Sequence, residues 1–129
     1  MTIESNKVIV NKSPKELFDF LAEFKNFEQL MPSEVQKFEA DETSFVFGIK
    51  GMPEIRLIKK SSAEYSQIIL EAASSKLPVE LIANLEDKGD NKTETQLIFN
   101  GEFNPMIKMM VQKPLKKFIE TLSENIEKL

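Results

Sequence analysis

The sequence contains no cysteine and no histidine. Without cysteine the chain forms neither a disulfide framework nor a reactive thiolate. Without histidine it lacks the usual zinc and copper ligand, and also the side chain that ordinarily titrates near neutral pH. We therefore expect no metal centre and no cofactor.

Long apolar runs are also absent, and the overall charge is acidic. The net charge is −4 and the isoelectric point is about 5.0. Because the phosphates of nucleic acids demand clustered lysine and arginine, we expect no nucleic-acid partner. No stretch approaches the roughly 20 apolar residues of a membrane span, and the N-terminal residues do not resemble a signal peptide. The sequence therefore predicts a cytoplasmic protein without a transmembrane segment.

The length fits one folding unit. A chain of 129 residues has single-domain size and buries roughly two thirds of its unfolded surface in one core. Neither an internal repeat nor a linker interrupts it. We predict one domain that spans residues 1–129.

The C-terminal segment predicts a long amphipathic helix. Asn104 is a good N-cap, and Pro105 suits the first helical position. Apolar residues then recur at steps of three and four: Ile107, Val111, Leu115, Phe118, Leu122, Ile126 and Leu129. We expect Met106, Met109 and Met110 to widen this stripe. Such a helix needs a large apolar surface to pack on.

Pro114 lies inside this predicted helix. It removes one backbone hydrogen bond and bends the helix. The bend either wraps the helix over a curved sheet, which we favour, or acts as a hinge for the segment Pro105–Lys113.

The N-terminal part predicts one strand and two short helices. The strand covers Thr2–Asn11. Ser13, Pro14 and Glu16 have the spacing of a capping box that starts a helix. A second helical turn near Asn26–Met31 ends at Pro32.

The middle of the chain predicts six strands joined by short connections: Glu34–Ala40, Thr43–Ile49, Glu54–Ser61, Tyr65–Ser74, Val79–Asp87 and Thr93–Phe103. Short connections favour pairing of each strand with its sequence neighbour in an antiparallel meander. Alternation gives one face that is almost purely apolar and must meet the C-terminal helix. We call the opposite face the outer face. It is polar apart from Val46, Ile58, Ile69, Ile82 and Ile98, which suggest a homodimer through the back of the sheet.

These elements predict an α+β fold in which a seven-stranded antiparallel sheet wraps around the long C-terminal helix. A two-layer sandwich without a cavity is the competing architecture. Three segments, Asn11–Leu21, Asn26–Pro32 and Asn104–Met106, resemble the helix-grip fold of the START/polyketide cyclase/Bet v 1-like superfamily, also called SRPBCC. The resemblance implies a deep apolar pocket between sheet and helix for lipids, sterols, polyketides or quinones. Some members are cyclases or dehydratases, and others are partner-binding modules.

We predict that the pocket is lined by apolar residues of the sheet, the loops and the helix: Leu30, Phe45, Phe47, Met52, Leu57, Leu70, Leu81, Ala83, Leu97, Phe99, Phe103, Met106, Met109 and Met110. Methionine adapts to ligands of varied shape. The phenylalanines could line a cavity or fill it, because protein interiors pack densely.

The chain offers few groups for chemistry. Tyr65 and Arg56 are the candidates, and neither comes with a recognisable base or oxyanion arrangement. We therefore predict no catalytic residue. The sequence favours a carrier or sensor of an apolar small molecule; a polyketide cyclase/dehydratase-like enzyme and a protein-binding adaptor without ligand are the alternatives.

Overall fold

The computed structural model describes residues 1–74 and 78–129. In chain order the elements are β1 Thr2–Glu4, β2 Val8–Val10, α1 Pro14–Ala22, a 3-10 helix Phe24–Leu30, β3 Val35–Ala40, β4 Ser44–Ile49, β5 Ile55–Ala63, β6 Gln67–Ala72, β7 Val79–Gly89, β8 Lys92–Gly101 and α2 Pro105–Glu127. The predicted order of strands and helices is confirmed. Most of the predicted connection between β6 and β7, residues 75–77, lies outside the described residues.

The strands form one antiparallel sheet in the order β1-β8-β7-β6-β5-β4-β3. From β3 to β8 each strand pairs with its sequence neighbour, as the short connections predict. The chain's first strand returns to pair with its last, so the sheet curls into a half-barrel against α2. The predicted α+β helix-grip architecture is confirmed.

The opening strand differs in detail, because it is divided into β1 and β2. Both pair with β8, in register Glu4 with Ile98 and Val8 with Thr95. Between these two pairs the opening strand has three residues and β8 has two, so the opening strand contains one extra residue. Buried Ser5 causes the break: its hydroxyl accepts from the Leu97 N–H at 2.9 Å, where a backbone carbonyl would otherwise pair. The sheet is therefore seven strands wide but has eight segments.

The two short helices form a wedge beneath the sheet. The predicted capping box is present: Ser13 Oγ accepts from the Glu16 N–H at 3.2 Å, and the Glu16 carboxylate accepts from the Ser13 N–H at 3.3 Å. The 3-10 helix begins two residues before the predicted turn. Together the two helices bury six apolar side chains: Leu17, Phe18, Leu21, Phe24, Phe27 and Leu30.

Helix α2 starts at the predicted cap, where Asn104 Oδ1 accepts from the Ile107 N–H at 2.9 Å. It continues through Pro114 without ending. The predicted stripe is the buried one, since α2 buries Val111, Leu115, Phe118, Ile119, Leu122, Ser123 and Ile126. Near the far end, Asn125 Nδ2 donates to the Leu30 carbonyl at 2.8 Å, which fixes α2 to the wedge.

The three methionines do not widen this stripe. Met106, Met109 and Met110 are 75%, 82% and 61% exposed and project away from the sheet. The reason is helical geometry, because all three lie on the side of α2 opposite Val111 and Leu115. The expectation that they widen the buried stripe was therefore wrong.

Candidate functional site

The interior between sheet and helix is almost completely filled. Nine of the predicted lining residues are buried there: Leu30, Phe45, Phe47, Leu57, Leu70, Leu81, Ala83, Leu97 and Phe99. Met52 and Phe103 are half-buried at its margin. The space enclosed near Leu70, Leu81 and Leu97 measures about 10 Å³. That is the lower end of what a single water requires, so these residues form a packed core.

Aromatic rings account for the filling. Phe27 of the 3-10 helix stacks on Phe45 of β4 with ring centroids 4.7 Å apart, and Phe24 meets the same ring edge-on at 5.6 Å. Phe47 stacks on Phe118 of α2 at 4.8 Å with nearly parallel planes. The wedge thus inserts its rings between sheet and helix, where the sequence analysis predicts a pocket.

An apolar recess remains at the side, where α2 passes the ends of β3 and β4. We call it the side pocket. Its volume is about 220 Å³, and its lining residues are Pro32, Glu34, Val35, Ile49, Lys50, Pro114, Lys117 and Phe118. Ile49 and Phe118 are buried and form its inner wall. The two prolines lack a backbone N–H, so they add apolar surface without a donor.

The rim of the side pocket is charged. Lys117 Nζ lies 2.9 Å from the Glu34 carboxylate, and this ion pair links α2 to the residue before β3. The hydrogen bond from Lys117 lowers the pKa of Glu34. Lys50, at the end of β4, forms no ion pair with any residue that the structure describes. The site therefore joins apolar walls to a rim with one paired and one unpaired ammonium group.

None of the fourteen predicted lining residues borders the side pocket. Strand alternation identified the inward face correctly but not which part of that face the helices leave uncovered. Three residues of the side pocket do stand out in the sequence. Pro32 ends a predicted helical turn, Pro114 lies inside the predicted long helix, and Phe118 belongs to its apolar stripe. Their convergence depends on the path of α2 across the sheet, which no local pattern encodes.

The two candidate chemical groups lie elsewhere. Arg56 is on the outer face, where its guanidinium donates to Ser44 Oγ at 2.6 Å. Tyr65 packs edge-on against Phe18 at 5.4 Å, with the Lys15 ammonium 5.6 Å from its ring centre. Neither residue lines the side pocket. Within residues 1–74 and 78–129 no group of three acidic side chains could hold a metal ion.

The outer face carries a short apolar row. The strand register places Ile69 opposite Ile82, and Ile82 opposite Ile98. All three are half-exposed. Ile58 lies opposite Glu71 instead, and Val46 is buried, so the row has three members rather than the five expected.

The sheet also has a wide depression of about 750 Å³ beside the end of β6, the start of β7 and the end of β8. The ion pair between Lys60 and Glu80, at 2.6 Å, lies along it. Its lining mixes charged and apolar residues and includes no residue of α2, so it does not correspond to a pocket between sheet and helix.

Among the described residues no helix is long and apolar enough to cross a lipid bilayer.

Comparison with known proteins relates the chain to solved structures alone. No protein-family model matches the sequence, and no curated protein matches it. Three structural neighbours cover nearly the whole chain. A START superfamily protein from Mycobacterium smegmatis has a TM-score of 0.67 and 15% identity, with 98% of this chain and 97% of that chain covered. The KanY protein has a TM-score of 0.78 and 10% identity, with 99% and 95% covered. Norcoclaurine synthase from Thalictrum, as a point mutant with a transition-state analogue, has a TM-score of 0.66 and 10% identity, with 99% and 94% covered.

The chain therefore shares the helix-grip fold of these three structural neighbours. At such low identity the likeness extends to the fold alone.

Proposed function

We propose that this protein is a carrier or sensor that binds an apolar small molecule, such as a lipid, polyketide or quinone, in the side pocket. The observation that carries the proposal is an apolar recess with a charged rim at the junction of α2 with β3 and β4. The fold supports it, because hydrophobic ligands are common in this architecture. The buried residues of the packed interior then serve as the scaffold of the site.

The size of the side pocket limits the ligand. At about 220 Å³ it is smaller than the roughly 300–1,000 Å³ typical of sites for drug-sized molecules. A ligand that buries about six methylene groups gains about 5 kcal/mol before ordering costs. Because ordering costs reduce this gain, the dissociation constant is no tighter than roughly 0.2 mM. The pocket therefore suits a small ligand or one end of a longer one.

The placement of the candidate chemical groups favours binding over catalysis. A cyclase or dehydratase needs an acid or base within reach of the bound substrate. Tyr65 and Arg56 are outside the side pocket. The nearest titratable groups are those of the rim, Glu34, Lys50 and Lys117, and they are open to solvent.

The proposal is tested by amide NMR titration with straight-chain alcohols of increasing length. We expect shifts to concentrate around Val35, Ile49 and Phe118, with affinity rising with chain length until the pocket is full. Val35→Asp places a carboxylate in the wall and should weaken binding at least tenfold. Ile9→Asp, an exposed position on β2, is the matched control and should leave affinity unchanged. An absence of saturable shifts, or shifts centred outside the pocket, would refute the proposal.

A second proposal concerns the row of Ile69, Ile82 and Ile98 on the outer face. We propose that it forms a weak homodimer contact, because three adjacent isoleucines on neighbouring strands make a continuous apolar strip. Sedimentation at increasing concentration should show self-association that Ile82→Asp abolishes and Ile9→Asp does not. A monomer at millimolar concentration would remove this proposal.

A further inference from the structure

The first half of α2 carries an unusual outward face. Met106, Met109 and Met110 are more exposed than any other large apolar residue that the structure describes. Lys113, Lys116 and Lys117 continue the same side of the helix, since their spacing of three, four and seven residues keeps them in line. We call these six residues the methionine–lysine stripe. The opposite side of the same turns is buried against the sheet, so packing within the chain does not explain it.

Charge is segregated along this helix. Residues 103–119 contain four lysines and no acidic residue, whereas the rest of the chain has 13 basic and 21 acidic residues. A local charge of +4 therefore lies beside a remainder of −8. Further along the same side of α2 the residues are acidic: Glu120, Glu124 and Glu127. The net charge of the sequence conceals this basic surface.

We propose that the methionine–lysine stripe docks on the surface of an anionic lipid bilayer. Long methionine side chains enter the boundary between head groups and acyl chains, while lysine stems extend their ammonium groups back to the lipid phosphates. Anionic head groups attract such juxtaposed lysines. The combination of three exposed thioethers and adjacent ammonium groups on one face is the arrangement of an interfacial helix.

The shape of the stripe favours a bilayer over an acidic protein. The stripe is the convex side of a helix and contains no groove that would receive a peptide. A protein partner would need preformed pockets for three flexible side chains, whereas a bilayer accepts them without shape complementarity. The acidic residues beyond Lys117 limit contact to the first half of α2, so that the helix touches the bilayer near its N-terminal end.

The docking proposal is independent of ligand binding in the side pocket. The two sites share Lys117, which belongs to the stripe and pairs with Glu34 at the pocket rim. The test variants therefore leave Lys117 unchanged, so that failure of one proposal does not imply failure of the other.

The experiment is flotation of the full chain with vesicles of phosphatidylcholine alone, or with about one third phosphatidylglycerol. We expect binding to the anionic vesicles only, decreasing as salt is raised because screening weakens the attraction. Lys113→Gln and Lys116→Gln together should weaken binding roughly 25-fold, about fivefold per lysine. Replacing Met106, Met109 and Met110 by glutamine, which leaves the charge unchanged, should weaken it at least tenfold.

The matched control replaces two exposed lysines outside the stripe, Lys59 and Lys92, by glutamine. It changes the net charge equally and should alter binding less than twofold. All substituted residues are exposed, and circular dichroism verifies that each variant is folded. Equal loss in the control, equal binding to neutral vesicles, or full binding by the methionine variant would overturn the proposal. Capture by polyglutamate without capture by vesicles would also overturn it, in favour of an acidic polypeptide.

Discussion

Replacing Phe118 by alanine tests whether the interior is a packed core or a ligand cavity. Phe118 is 3% exposed, and its ring stacks on that of Phe47 at 4.8 Å. Core phenylalanine-to-alanine changes cost about 3–5 kcal/mol of unfolding free energy. Because Phe118 also borders the side pocket, solvent can partly refill the space. We therefore expect a loss of about 3 kcal/mol, which leaves a typical domain folded.

The assay is urea unfolding followed by circular dichroism, with the slope compared between variants. Phe20→Ala is the control, since Phe20 is half-buried on α1 and should cost only about 1 kcal/mol. Phe118→Ala also enlarges the side pocket toward the core. Longer alcohols should therefore bind this variant more tightly than the parent chain. A destabilisation below about 1 kcal/mol would show that the rings of Phe47 and Phe118 are not part of a close-packed core.

Three further predictions follow from single contacts. Ser13→Ala removes the capping box of α1 and should lower the unfolding free energy by about 1 kcal/mol in urea titration; an unchanged midpoint would contradict this. Thr95→Val should raise the unfolding free energy by about 1 kcal/mol in the same titration, because the buried Thr95 hydroxyl has no hydrogen-bond partner among the described residues and valine has the same shape; a destabilised variant would contradict this. Hydrogen bonds from the backbone N–H groups of Thr43 and Ser44 hold the pKa of Asp41 below its usual 3.8. The ionised carboxylate therefore stabilises the fold above that value, and its contribution is lost as the pH falls through the lower folded pKa. Asp41→Asn should accordingly be less stable than the parent at neutral pH but equal to it in strong acid, and a difference independent of pH would refute the assignment.

Local patterns were sufficient for the secondary structure and its order. Ser13 with Glu16, and Asn104 with Pro105, mark helix starts because a cap satisfies backbone N–H groups within a few residues of itself. Short connections between apolar alternations fix an antiparallel meander. The division of the first strand was not predictable in this way, because the hydroxyl of Ser5 replaces a ladder carbonyl only when Leu97, far along the chain, lies beside it.

The candidate site shows where such patterns fail. Alternation assigned Phe45, Phe47 and Phe99 to the inward face, and all three are buried. Whether an inward-facing ring lines a cavity or fills it depends on which side chains the helices place against the sheet. Here the wedge supplies Phe24 and Phe27, so the middle is packed and the remaining recess lies at the edge of the sheet.

The sequence by itself determined the element order, the helix caps, the inward face of the strands from β4 to β8 and the buried stripe of α2, because these depend on neighbours within a few residues. Only the tertiary structure decided that the interior is full, that the side pocket forms where Pro32, Ile49 and Pro114 converge, and that three methionines face outward. Those outcomes depend on the path and rotation of one long helix over a curved sheet. That geometry is set by the packing of residues distant in the chain.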